Sequence, residues 1–180
     1  MKENTAQSAL SVAMQEILSQ GESLLLSLSD EQYTYAHPQA FNASVGAHYR
    51  HCLEHFEALL TFPEGGRVDY DARKRDRSVE TDRHVALERT RKIREHIGDL
   101  PVDSYDREVE VCCRVTEEEG RNPMARSSLG REAMYGIIHA VHHFALIKVM
   151  AGLAGVSLPD NFGVAPSTAA HRRKELASSG

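Results

Sequence analysis

Met134-Tyr-Gly-Ile-Ile-His139-Ala-Val-His142-His143-Phe-Ala-Leu-Ile-Lys148-Val-Met150 decides how the rest of this chain is read. At about 100° per residue, His139 and His143 fall one above the other on a helix, at the spacing that lets two imidazoles grip one metal ion. Between Glu132 and Asp160 the only charged side chain is Lys148, about 180° round the helix from His139. With Lys148 marking solvent, His139 looks inward, and the three histidines are expected on the inner side of an otherwise apolar helix. Each then needs a partner, because a neutral imidazole carries one donor and one acceptor that are costly to leave dry. A second cluster, His48-Tyr-Arg-His51-Cys-Leu-Glu-His55, is placed to supply them, and these two windows hold six of the ten histidines.

Working outward, 180 residues with 41% apolar content make one domain, residues 1–180, large enough to bury a core unaided. A net charge of −5, from 21 basic and 26 acidic residues, offers no broad positive field for a phosphate backbone, so no nucleic-acid partner is expected. The N-terminus lacks an apolar leader, and no window approaches the roughly 20 apolar residues of a membrane span, so a soluble, cytoplasmic protein is expected. Three cysteines, two of them adjacent, make neither an even disulfide set nor a zinc pair and read as reduced thiols.

Residues 5–28 place Leu10, Met14, Ile17, Gly21, Leu24 and Leu28 at helical steps and form helix one. From Ser29 to Pro38 the chain turns. Asn42 or Ser44 caps helix two, whose stripe is Val45, Tyr49, Cys52, Phe56 and Leu59, with Arg50, Glu54 and Glu57 opposite and Pro63 to Gly66 ending it. Residues 67–83 are dense in both charge signs. They form either a solvated connector or a gate, with Tyr70, Arg73 and Arg75 over the mouth of the histidine site holding an anionic group. Helix three is expected from Val79 to Ile97, then a short hairpin or extended crossover from Arg107, with Cys112 and Cys113 on opposite faces. Ser127 or Ser128 caps helix four, which ends near Gly152 or Gly155. The bundle covers about 5–155, and the loop and polar tail of 156–180 are expected to be ordered loosely and to fray.

Four helical segments with one long connection predict an all-α four-helix bundle in which helix two faces helix four. Glu-x-x-His, which a carboxylate-bridged di-iron site needs on two helices, is absent from both windows, as is His-Glu-x-x-His. A mononuclear, all-imidazole site remains: His139 and His143 with at least one of His48, His51 or His55. Three nitrogens and an open position suit Zn²⁺, Ni²⁺ or Fe²⁺.

Ser44-Val-Gly-Ala-His-Tyr-Arg-His51, Ser127-Ser-x-x-Arg-Glu132 and His139-x-x-His142-His143 together resemble the DinB/YfiT-like superfamily over roughly residues 5–155. The resemblance implies an up-down-down-up four-helix bundle, often dimeric, holding a divalent metal through His51, His139 and His143. His48, His55 and His142 then support the ligands or add a fourth. Helix periodicity sets His48 and His55 further inward than His51; the motif favours His51. Phe144-Ala-Leu stands where many members carry Arg-Gly-Gln after the paired histidines. Some relatives of this kind are metal-dependent transferases that use low-molecular-weight thiols on small electrophiles. A metal-dependent hydrolase and a non-catalytic metal-binding or stress-response protein are the alternatives.

Overall fold

The computed structural model describes residues 8–61, 66–118 and 122–178. These comprise seven α-helices, α1 Ala9–Ser27, α2 Asp30–Thr34, α3 Val45–Leu60, α4 Arg77–Thr81, α5 Arg83–Asp99, α6 Leu129–Leu153 and α7 Pro166–Ser178. Three short strands join them, β1 Arg67–Asp69, β2 Glu108–Cys112 and β3 Met124–Ser128. The expected helix end at Pro63 to Gly65 lies outside the described residues.

The long helices start where short polar side chains replace missing backbone partners. Ser8, Ser44, Asp82 and Ser128 cap α1, α3, α5 and α6 by accepting from backbone N–H groups one turn on. Asp82 also corrects the single helix expected over Val79 to Ile97. By accepting from the His84 and Val85 N–H groups it starts a new helix, so the segment divides into α4 and α5. The turn region after Ser29 contains one helical turn, α2, because Ser29 and Gln32 form a reciprocal capping box. Gly155, at φ +75°, follows the end of α6, where a left-handed residue closes a helix.

Each long helix packs against two others: α1 against α5 and α6, and α3 against α5 and α6. Their shared core is built on Met14, Leu18, Leu25, Tyr49, Phe56, Ile97, Phe144 and Ile147, all fully buried. Polar atoms inside it are matched. Thr90 donates to the Ala86 carbonyl, so the Tyr49 hydroxyl donates to Thr90 Oγ1 at 2.8 Å, and Tyr33 donates to the Val79 carbonyl at 2.6 Å. Gly46 has no room for a side chain, because a Cβ there would strike the Glu80 carbonyl. That contact draws α4 onto α3.

An all-α fold gives way to a mostly helical one with a three-stranded sheet, ordered β1-β2-β3. β2 and β3 form the expected hairpin, antiparallel from Glu108 opposite Ser128 to Cys112 opposite Met124, and β1 adds in parallel on the other edge. The turn expected from the sequence between Glu118 and Pro123 falls on residues 119–121, which lie outside the described residues. Of the two adjacent cysteines, expected one buried and one exposed, Cys112 is buried, but Cys113 is half-buried because it packs against the cluster of Val68, Tyr70 and Val109.

Three further expectations are corrected. Glu54 is buried rather than outward, since the returning loop covers its face and Glu54 Oε1 accepts from the Asp76 N–H at 3.0 Å and from Arg50 at 3.3 Å. The tail is helical in α7, although none of its side chains is buried, and Phe162 before it enters the core, stacked on Phe144 at 4.9 Å between ring centroids. By length and composition α6 is long and apolar enough to cross a membrane. The same composition serves a packed helix, and Gly136, Ala140, Phe144, Ile147 and Ala151 bury one side of α6.

Candidate metal centre

The seam between α3 and α6 changes character along its length. At the level of Tyr49 and Phe144 it is aromatic, with the rings stacked at 6.1 Å. Further along it is imidazole. Helical spacing brings His48, His51 and His55 down one side of α3 and His139 and His143 down the facing side of α6. Nε2 of His51 lies 2.9 Å from Nε2 of His139, and Nδ1 of His48 lies 2.9 Å from Nδ1 of His143. The His51 ring sits at the middle, with centroids of His55, His143 and His139 at 4.4, 4.7 and 4.9 Å.

One nitrogen each of His51, His139 and His143 lies within 4.8 Å of the others, so these three half-buried histidines are close enough to bind a metal ion. The set is the one the motif singles out. The donor chemistry fits a divalent ion with a nitrogen preference. His143 has its Nδ1 committed to His48, leaving Nε2 as the nitrogen without a bonded partner among the described residues. A histidine that ligates through one nitrogen while bonding through the other is held in ring orientation and tautomer. His55 bonds instead to the His51 carbonyl, 2.9 Å from its Nδ1. Periodicity sets both His48 and His55 further inward than His51; of the three, His55 alone is buried, packed against Tyr70 5.2 Å away, while His48 is half-buried like His51.

His142 faces solvent, contrary to its expected inward position. One residue is about 100° of turn, enough to carry it past the seam that His143 occupies.

Burial holds these rings neutral. It lowers His51 to about 2, helped by His55 and Arg73, His143 to about 3, helped by His139 and His48, and His55 to about 4. His48 and His139 are lowered by the same cause. Neutral imidazole is the form that presents a lone pair to a metal.

Of the three residues expected over the mouth of the site, two are brought to it. Arg73 Nη1 lies 2.6 Å from His51 Nδ1 and 3.0 Å from His55 Nδ1. Tyr70 is buried against His55 and donates to Glu132 Oε2 at 2.9 Å. Arg75 is exposed, at φ +49°, and stays away. Glu132 also accepts from Ser127 at 2.6 Å, tying α6 to β3. Tyr135, not picked out in the sequence, stacks on His139 at 5.6 Å and lies 5.4 Å from Tyr70. Helical spacing carried that signal, since residues 132, 135, 139 and 143 step by three and four along one face.

No family model and no solved structure matches this chain. A curated relative, the FK506-binding protein 5 of Rhizopus delemar, is 37% identical over 108 residues, which is 60% of this chain and 28% of that protein. The chain therefore spans little more than a quarter of the relative it matches, and the relative's name describes the longer molecule.

Proposed function

We propose that this chain is a divalent-metal-binding protein of the DinB/YfiT-like kind. In this reading α1, α3, α5 and α6 form an up-down-down-up four-helix bundle, and His51, His139 and His143 hold Zn²⁺, Ni²⁺ or Fe²⁺. One observation carries it: one ring nitrogen from each of three neutral imidazoles on two facing helices lies within 4.8 Å of the other two. Bound there, the metal would supply Lewis acidity, lowering the pKa of a thiol or water at an open position. The protein groups around it have their own tasks. His48 orients His143 through the Nδ1 contact, the Tyr70 and Tyr135 rings close one side against water, and Arg73 offers a cation to an anionic substrate.

The activity we infer is transfer of a low-molecular-weight thiol to a small electrophile, with hydrolysis as the variant in which water takes the thiol's place. A non-catalytic metal-binding role is favoured by a specific observation, the extra imidazoles of His48 and His55 beside the trio, because a fourth nitrogen ligand would close the open position.

Metal analysis of the purified protein, with cobalt as a spectroscopic stand-in, tests the reading. About one equivalent of tightly bound metal is expected, lost in His51→Ala, His139→Ala and His143→Ala. Full metal retention in His51→Ala would remove the proposed ligand set. A cobalt spectrum that shifts on adding a thiol supports the transferase, and one that does not respond to thiol or to other small ligands supports the closed, non-catalytic site.

A further inference from the structure

The loop between β1 and α4 carries one cation whose surroundings set it apart. The cleft beside it, about 290 Å³, is lined by Arg67, Arg73, Arg89, Glu54, Glu57 and Asp69 among others. Arg67 pairs with Asp69 at 3.2 Å, and Arg89 pairs with Glu57 at 2.9 Å and with Asp76 at 2.7 Å. Arg73 has no carboxylate at ion-pair distance among the described residues, and its Nε is buried without a hydrogen-bond partner. Its guanidinium is turned to the histidines instead.

That contact fixes a proton. Arginine has only donors, so at 2.6 Å His51 Nδ1 accepts from Arg73 and the neutral ring carries its hydrogen on Nε2. Nε2 then donates to His139 Nε2, 2.9 Å away. In this arrangement the nitrogen of His51 that faces α6 has no lone pair for a metal. Ligation through Nε2 requires the hydrogen to move to Nδ1, which leaves an N–H group opposed to the Arg73 N–H group. Two donors do not share a contact of 2.6 Å. The rings must also separate, since two nitrogens on one tetrahedral ion at about 2.05 Å lie about 3.3 Å apart. The conflict is resolved by an acceptor between His51 Nδ1–H and the guanidinium, and ligating histidines commonly donate to a carboxylate in this position. Among the described residues no carboxylate lies at hydrogen-bond distance of either group, and Glu54 Oε1 is held by Arg50 and the Asp76 N–H.

We propose that Arg73 and His51 Nδ1 form a site for a small carboxylate, open only when a metal occupies the Nε2 side, so that metal and carboxylate bind cooperatively. This rests on the reading of His51, His139 and His143 as ligands. Without the anion, Arg73 opposes metal entry; with it, Arg73 assists. The coupling is reciprocal: whatever factor the carboxylate adds to metal affinity, the metal adds to carboxylate affinity.

Competition of zinc between the protein and a chromophoric chelator, in chloride buffer with and without acetate, reads the coupling directly. For the unmodified chain acetate is expected to raise zinc affinity about 10-fold, within the range usual for coupled sites. Arg73→Met should bind zinc more tightly than the unmodified chain in chloride and ignore acetate, and Arg73→Lys, which keeps the charge, should retain part of the response. Circular dichroism establishes that each variant is folded. Equal zinc affinity and no acetate effect in all three proteins would overturn the proposal while leaving the metal site standing. A tighter Arg73→Met with no acetate effect on the unmodified chain would overturn the carboxylate site. Absence of zinc binding by folded, unmodified protein would sink the ligand reading and this inference with it.

Discussion

Two helix seams run through this molecule, and they are built from opposite materials. Where α1 meets α5, Met14, Ile17, Leu18, Ile93 and Ile97 fill the interior, and polar side chains pair across the rim. Gln15 and Arg94 exchange two hydrogen bonds, and Arg94 pairs with Glu22 at 2.6 Å. Where α3 meets α6, one end is aromatic and the other holds imidazoles bonded chiefly to one another, with an arginine that faces them instead of a carboxylate. The first seam is complete as it stands. The second gathers ring nitrogens of His51, His139 and His143 within 4.8 Å of one another, and neutral rings bonded to neutral rings contribute modestly to stability. A fold that keeps such a seam leans on the other for its stability.

The sharpest way to break this comparison is to damage the first seam. Ile97 is fully buried, and Ile97→Ala is expected to cost about 2–5 kcal/mol in denaturant unfolding. Zinc affinity of the folded fraction should stay where it was, because Ile97 lies on α5 and the imidazoles lie on α3 and α6. A matching loss of zinc affinity would show that the two seams act as one.

Acid separates them next. His51, His143 and His55 are held at about 2, 3 and 4 in the fold, below their ordinary 6.5. Between those values and 6.5 the unfolded chain binds protons that the native chain refuses, so their contribution to stability is present above about pH 6.5 and is lost as the pH falls towards 4 and below. Thermal melts of the metal-free protein should show Tm falling over that window. His51→Leu combined with His143→Leu should flatten the fall, and an unchanged slope in that double variant would assign the acid sensitivity to carboxylates elsewhere.

Within the second seam, His48 marks the boundary between ligand and support. With His143 Nδ1 at 2.9 Å it orients the ring without joining the trio, so His48→Ala should weaken zinc binding by roughly 10–100-fold and leave one equivalent bound at saturation. Loss of binding altogether would promote His48 to a ligand.

Much of this division was legible in the sequence. The apolar stripes of α1 and α3 lie in the core as their periodicity required, and the spacing of His139 and His143 placed both on the seam. What helical arithmetic could not supply was tertiary cover. Glu54 is polar and lies opposite the apolar stripe, so it reads as outward until the loop of residues 66–76 folds over it. The mixed charge of that loop reads as a solvated connector, yet Val68 and Tyr70 are buried with Val109 and Arg73 reaches the histidines, contacts between distant segments that no local pattern encodes. The break at Asp82 was readable from its capping chemistry but was hidden by a continuous run of charge on either side.

His142 gives the smallest effect and the finest test of the division. It belongs to the densest histidine cluster in the sequence, and its ring centroid is 5.3 Å from that of His143, yet its side chain is exposed. Proximity in sequence and exposure in the fold make opposite forecasts. If position on the helix decides, His142→Ala should change stability by no more than about 0.5 kcal/mol and leave zinc affinity unaltered, as for an ordinary surface substitution. If clustering decides, the substitution should cost affinity as His48→Ala does. Equal losses in the two variants would mean that α6 turns on metal binding to bring His142 inward, and the seam would then be a moving part rather than a fixed one.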